Sequence, residues 1–187
     1  MSSRRLLLVR HGQTSWNALG KLQGHTDIEL DDIGRAQARA LADQVRAAHI
    51  AAVWTSDLSR ARQTGEIVAS ALGLPAPRVE EGLRERKFGV FEGLTRAECA
   101  EQYPEHWAAW QTRSQAPPGG EPVPEAIARM GAALDKIALT DGNAILVISH
   151  GGLMRLWLQK LHGKQLPLIS NGAIHTLAHD GVKFWPL

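Results

Sequence analysis

Leu6 to Val9 is an unbroken apolar run, the pattern of a strand covered on both faces rather than one alternating between core and solvent. Ala144 to Ser149 repeats the pattern far downstream, and Ile50 to Thr55 is a further strand candidate. Elsewhere the apolar spacing is helical. Asp31 is placed to cap a helix reaching about His49, with Ile33, Ala36, Ala40, Leu41, Val45 and Ala48 near helical spacing. Ser59 is placed to cap a second helix to Leu72, closed by Gly73 and Pro75. Thr95–Gln102 and Glu105–Arg113 read as short helices separated by Pro104, Ala116–Pro122 as an exposed loop, and Glu125–Leu139 and Leu153–Leu161 as helices. Ala173–Ala178 and Val182–Trp185 flank Asp180-Gly181 as a hairpin would. Strands alternating with helices predict a three-layer α/β/α fold with a mainly parallel central sheet. We expect one domain over residues 1–187, with about 93–122 covering its site.

Composition narrows the class without naming a function. The 187 residues are enough to bury a sizeable core, and 44% hydrophobic with 21% charged residues is ordinary for a globular chain. A formal charge of +2 argues for neither a nucleic-acid nor a membrane partner. The single cysteine, Cys99, cannot form an internal disulfide, and the apolar run after Arg5 is too short for a signal core. We therefore expect a cytoplasmic protein. No signal fixes the oligomeric state; a homodimer is compatible with the chain.

The chemistry gathers where apolar runs end. Leu6–Val9 leads into Arg10-His11-Gly12, and Ile145–Ile148 leads into Ser149-His150-Gly151-Gly152. In a parallel sheet, ligands sit outside the carboxyl ends of strands, so two imidazoles are expected at one sheet edge. Two further segments are rich in the residues a phosphate monoester needs: Thr55–Thr64, with Arg60 and Arg62, and Leu83–Gly93, with Glu85 and Glu92. A dianionic phosphoryl group calls for guanidinium groups that grip several oxygens, a role open to Arg10 and Arg60. Arg62 is the rival of Arg60 but points to another helix face. Asn17 and the Gly151 backbone N–H add neutral donors. His11, kept neutral by neighbouring arginines, is the candidate nucleophile, and His150 a donor to the phosphoryl oxygens. The leaving oxygen needs a proton from a carboxyl group. Glu85 is the first candidate, with Glu80, Glu81 and Glu92 as neighbours that can be merely solvated.

This ordered set resembles the histidine phosphatase superfamily, also called phosphoglycerate-mutase-like. The likeness rests on Arg10-His11-Gly12 with Thr14, Trp16 and Asn17; Leu22–Asp27; Leu30–Gly34; Ser56–Ala61; Leu83-Arg84-Glu85; Gly89; Glu92-Gly93; Gly119-Gly120-Glu121; and Ser149–Gly152. The resemblance implies a phosphohistidine on His11, a phosphate pocket of Arg10, Arg60 and His150, and Glu85 as proton donor. Asn17, Gln23, Gly24 and Gly151 follow as substrate-binding residues, with no cofactor and no metal. Gln13 stands where many members have glutamate, and Asp31 where a threonine often caps the helix.

Phosphatase and mutase share the phosphohistidine and differ in its fate. True mutases resemble a longer design with an added basic segment after the acid. Here Glu85 to His150 spans 65 positions, and Arg113 is the one arginine or lysine between Tyr103 and Ala116. We therefore expect a phosphatase acting on a small phosphate monoester: a phosphorylated sugar or glycolytic acid, a ribazole-phosphate-like nucleotide, or a phosphoprotein. Mutase-type transfer is the alternative, and a non-catalytic phosphate-binding protein the second. The remaining histidines, including His175 and His179, are expected on the surface or in packing. Tyr103, His106, Trp107 and Trp110 are expected to pack the cover segment or to wall the pocket.

Overall fold

The computed structural model describes residues 4–140 and 142–187. Among these residues, six strands form one mixed sheet in the order β3-β2-β4-β1-β5-β6. β1 (Arg4–Arg10), β2 (Ala52–Thr55), β3 (Arg78–Val79) and β4 (Ala144–Ser149) run parallel; β5 (Ile174–His179) and β6 (Phe184–Pro186) form the antiparallel hairpin at one edge. The helices are α1 (Ser15–Ala18), α2 (Asp32–Val45), α3 (Ser59–Leu72), α4 (Arg96–Gln102), α5 (Pro104–Gln111), α6 (Val123–Ala138) and α7 (Gly151–His162).

The period-2 geometry of the strands explains their continuous apolar runs. Leu6, Leu8, Ile145 and Val147 pack with Met130, Leu134 and Ile137 of α6 and Leu153, Met154 and Trp157 of α7. Leu7, Val9, Leu146 and Ile148 face the other way, toward Leu41 and Val45 of α2 and Ala61 and Val68 of α3. The molecule is thus a three-layer α/β/α sandwich with a mainly parallel sheet. A third, smaller cluster gathers Phe88, Phe91, Cys99 and Trp107 between α4, α5 and the preceding loop.

Three local expectations are corrected. α2 turns Gly34, Ala38, Leu41, Ala42 and Val45 inward, whereas Ile33 is 57% exposed and Ala36 and Ala40 face solvent. The stripe is set by a glycine: a Cβ on Gly34 would lie 2.0 Å from the Gln13 carbonyl oxygen, so this turn docks backbone to backbone. Ser59 does not cap α3. The N-cap position is Leu58, and a distant carboxylate does the work: Asp27 accepts from the Ser59 N–H and from its hydroxyl, each at 2.7 Å. The loop 116–122 is also less exposed than expected. Pro117 is buried, Gly120 bridges Phe88, and Glu121 pairs with Arg129.

Because Asp27 supplies the cap that the local sequence lacks, Asp27→Ala is expected to lower unfolding free energy by about 1 kcal/mol. Urea denaturation checks this, and an unchanged midpoint would remove the capping role.

Candidate active site

Parallel pairing in register sets the two imidazoles side by side. Arg10 of β1 lies opposite Ser149 of β4, and the next residue, His11, donates its N–H to the Ser149 carbonyl at 3.0 Å. The ring centroids of His11 and His150 are 5.1 Å apart. His11 is 3% exposed and lines a cavity of about 520 Å³, together with Arg10, Asn17, Gln23, Gly24, Arg60, Glu85 and Gly151. His150 is fully buried, behind the lining, between Arg60 and His11.

Hydrogen bonding fixes opposite tautomers. His11 Nδ1 lies 2.6 Å from the Gly12 carbonyl oxygen, which can only accept, so Nδ1 carries the proton and Nε2 keeps its lone pair. His150 Nδ1 accepts from Arg60 Nε at 3.3 Å, so its proton sits on Nε2, which has no partner among the described residues. One ring therefore presents a lone pair and its neighbour an N–H. Both imidazoles are pushed well below the ordinary 6.5, first by burial and then by the charge of Arg60; for His11, Arg10 adds to this.

The two arginines are desolvated. Arg60 is 1% exposed and is held by carbonyl oxygens, donating to Gly24 at 2.8 Å and Thr26 at 2.9 Å. Burial pushes it down to about 10, so it remains a cation at neutral pH. Arg10 is likewise lowered by burial; its Nη1 donates to the Ile169 carbonyl at 2.6 Å, while its buried Nε has no described partner. Arg62 lies outside the site, exposed and paired with Glu66.

Glu85 lines the same cavity. Its carboxyl accepts from three backbone N–H groups: Arg86 at 2.8 Å, Gly152 at 2.9 Å and Leu153 at 2.7 Å. Two of these are orphan donors of the first turn of α7. A Cβ on Gly152 would lie 2.8 Å from Glu85 Oε1, and one on Gly151 2.8 Å from Arg10 Cδ, so this Gly-Gly pair lets both side chains approach the helix. Glu92 is engaged elsewhere and does not line the cavity. It accepts from His25, Thr26 and Phe88, and although burial raises its pKa, these hydrogen bonds outweigh it and the net shift is downward.

Asn17 Oδ1 is taken by Thr14 and Asn171, leaving its amide N–H₂ for the cavity. Gln23 is buried against the cavity and Gly24 lends its carbonyl to Arg60. Sequence reasoning missed Asn171, which donates to the His11 carbonyl at 2.9 Å, and His25, whose Nε2 lies 2.8 Å from the Glu85 carbonyl oxygen. It also underrated the basicity of the site. Tyr103–Ala116 contributes only Arg113, but Lys21, Arg86, Arg96 and Arg155 reach the same cavity from other segments. Trp107 packs in the small cluster, and Trp110, stacked on it at 4.9 Å, lines the cavity. Among the described residues, no three His, Cys, Asp or Glu side chains converge to ligate a metal.

The sequence matches the family model "Histidine phosphatase superfamily (branch 1)" over residues 6–185. The chain belongs to this superfamily. It is 39% identical over 155 residues to phosphoglycerate mutase-like protein 4 of Arabidopsis thaliana, covering 80% of this chain and 67% of that one. It is 36% identical over 178 residues to the metal-independent phosphoserine phosphatase of the same plant, covering 92% and 75%. A mycobacterial glucosyl-3-phosphoglycerate phosphatase solved with VO3 superposes with a TM-score of 0.87 at 29% identity, covering 98% and 96%. Relatives of this chain thus include both phosphatase and mutase-like proteins, and the family implies a phosphate-ester substrate. No described helix is long and apolar enough to cross a membrane. The two departures from the family pattern meet in space, Gln13 Nε2 donating to Asp31 Oδ2 at 3.1 Å. A glutamate at 13 would set two carboxylates against each other.

The depressed imidazoles tie stability to pH. The unfolded chain protonates both histidines near 6.5, while the folded chain holds them neutral well below that. Unfolding therefore takes up protons as the pH falls through 6.5, and stability is lost at up to about 1.4 kcal/mol per pH unit for each histidine. Urea midpoints at pH 7, 6 and 5 should fall steadily, and less steeply in His150→Gln; parallel profiles would contradict the neutral buried pair.

Proposed function

We propose that this histidine phosphatase hydrolyses small phosphate monoesters through a phosphohistidine on His11. The observation that carries the reading is the opposed pair of tautomers: a lone pair on His11 Nε2 at the cavity wall, beside an unpartnered Nε2–H of the buried His150 just behind it, with two lining guanidinium groups that no carboxylate neutralises by contact.

In the first half-reaction Arg10 and Arg60 hold the phosphoryl oxygens, and His150 Nε2–H and the Asn17 amide add donors. His11 Nε2 gives its lone pair to phosphorus as the bond to the ester oxygen breaks, and that oxygen takes a proton from Glu85. The Gly12 carbonyl keeps the positive ring oriented through Nδ1–H. In the second, the Glu85 carboxylate takes a proton from water as the water oxygen attacks phosphorus, releasing phosphate and restoring His11. Every step uses side chains of this chain, so turnover is expected to persist in a chelator. Gln23, Gly24 and Gly151 shape the pocket around the ester, and residues 93–122 form its outer wall. A cytoplasmic setting fits the free, buried thiol of Cys99. Mutase-type return of the phosphoryl group to a bound acid is the competing fate, favoured by the basic cavity wall.

Phosphate release from a monoester panel in chelator-containing buffer tests this reading, with interconversion of phosphoglycerates assayed alongside. Hydrolysis without interconversion is expected; interconversion with little release would make the protein a mutase. His11→Ala should lower kcat by about 10⁴-fold or more while the protein stays folded. An active variant would overturn the nucleophile. Glu85→Gln should cost about 10²–10⁴-fold on alkyl phosphates and far less on nitrophenyl phosphate, whose leaving group needs no proton. Equal losses on both would move the acid role away from Glu85.

A further inference from the structure

The backbone that carries Glu85 is held from outside itself. Among the described residues, the carbonyls of Gly82, Leu83, Arg84 and Glu85 all accept from side chains and none from a backbone N–H. Ser149 Oγ donates to Leu83 at 2.8 Å. Arg129 Nη1 donates to Gly82 at 2.8 Å and to Arg84 at 3.0 Å, and its Nη2 reaches Glu85 at 3.4 Å. His25 Nε2 is the second donor to Glu85, at 2.8 Å. Beyond the single turn Glu81–Leu83 the stretch enters no regular element before Gly89, so these donors decide where its backbone lies. Arg129 serves three of the four carbonyls. It stands on α6, partly buried and outside the cavity lining. A Cβ on Gly82 would lie 2.7 Å from that of Ala133, so the turn closes directly onto this helix.

A guanidinium that serves carbonyls also needs its charge balanced and its plane fixed. Glu121 does both, Oε1 accepting from Nε and Oε2 from Nη2, each at 2.8 Å. Burial raises the Glu121 pKa, but the hydrogen bonds and charge of Arg129 outweigh it and the net shift is downward. Glu121 is in turn seated on the far side of Glu85. Its N–H donates to the Lys87 carbonyl at 2.9 Å, and its own carbonyl accepts from Arg86 Nε at 2.7 Å. Gly89, at φ 54°, allows this docking, since a Cβ there would lie 2.1 Å from the Pro118 carbonyl oxygen. The Gly119-Gly120-Glu121 run thus grips the chain just after Glu85, and through Arg129 the chain up to and including it. Unlike Arg10 and Arg60, Arg129 is neutralised by contact, so it offers geometry and not attraction for an anion. We propose that Arg129, oriented by Glu121, is a positioning residue for proton transfer: it fixes the backbone of residues 82–85 so that the Glu85 carboxyl meets the leaving oxygen. This rests on the reading of Glu85 as proton donor.

Two leaving groups test it. Arg129→Gln should lower kcat on an alkyl phosphate by about tenfold or more and on nitrophenyl phosphate by less than about threefold. KM and competitive inhibition by inorganic phosphate should not change, because the phosphoryl pocket is untouched. Arg129→Lys keeps a cation beside Glu121 but loses the fork, and should recover part of the loss. It also keeps the test informative if Arg129→Gln misfolds. In a Glu85→Gln background, Arg129→Gln should add little on the alkyl ester, since the two act on one proton transfer. Equal losses on both esters, or full additivity with Glu85→Gln, overturns the positioning role. A leaving-group difference in Glu85→Gln that both Arg129 variants lack removes the role of Arg129 alone. Equal losses on both esters in Glu85→Gln remove the acid assignment, and the positioning role with it.

Discussion

A guanidinium group taken out of water must be surrounded by acceptors, and Arg60 is the residue around which this molecule meets that demand. It is almost wholly buried, yet its partners are carbonyl oxygens of Gly24 and Thr26 and a ring nitrogen of His150. Those carbonyls point inward only because the 23–27 loop is folded back, and Glu92 fixes that fold by accepting from the N–H groups of His25 and Thr26. Asp27, at the end of the same loop, caps the helix that carries Arg60. Loop, cap and cation form a closed circuit. Had a carboxylate been the partner, the charge would be neutralised and the attraction for a phosphoryl dianion lost.

The same field explains why the imidazoles are neutral. Protonating either ring would add a positive charge beside Arg10 and Arg60 in a desolvated pocket, so each keeps one proton, and the surrounding acceptors decide which nitrogen holds it. The proposed nucleophile and donor are chemically identical side chains made different by one carbonyl and one guanidinium. Glu85 is held by its own backbone donors at the start of α7, where the absence of a side chain at Gly152 lets its carboxyl reach the helix end.

Much of this was legible in the chain because it is local or periodic. Apolar runs ending in Arg-His-Gly and Ser-His-Gly fix both the strand and the edge at which the histidines emerge. What escaped depends on partners far apart in sequence. Ser59 looks like a cap until Asp27, 32 positions earlier, takes its N–H. Ile33 looks like a core position until Gly34 is found against Gln13. Asn171 and Arg155 carry no motif; only the return of the chain brings them to residues 10–17 and to the cavity. The segment judged weakly basic on its own composition forms part of a strongly basic wall.

The place of β1 in the sheet has a consequence for how the chain comes into being. β1 lies between β4 and β5, and Arg5 finds its partner at Ala144, 139 positions later. During synthesis, Leu6 to Val9 therefore leave the ribosome with neither neighbour made. Four adjacent apolar residues in a strand-forming stretch stay exposed until most of the polypeptide has followed, the condition under which chains adhere to one another. Closure of such distant pairings also makes for slow folding. The segment that leads into the proposed nucleophile is thus one that a chaperone's cover would protect while the remainder is translated.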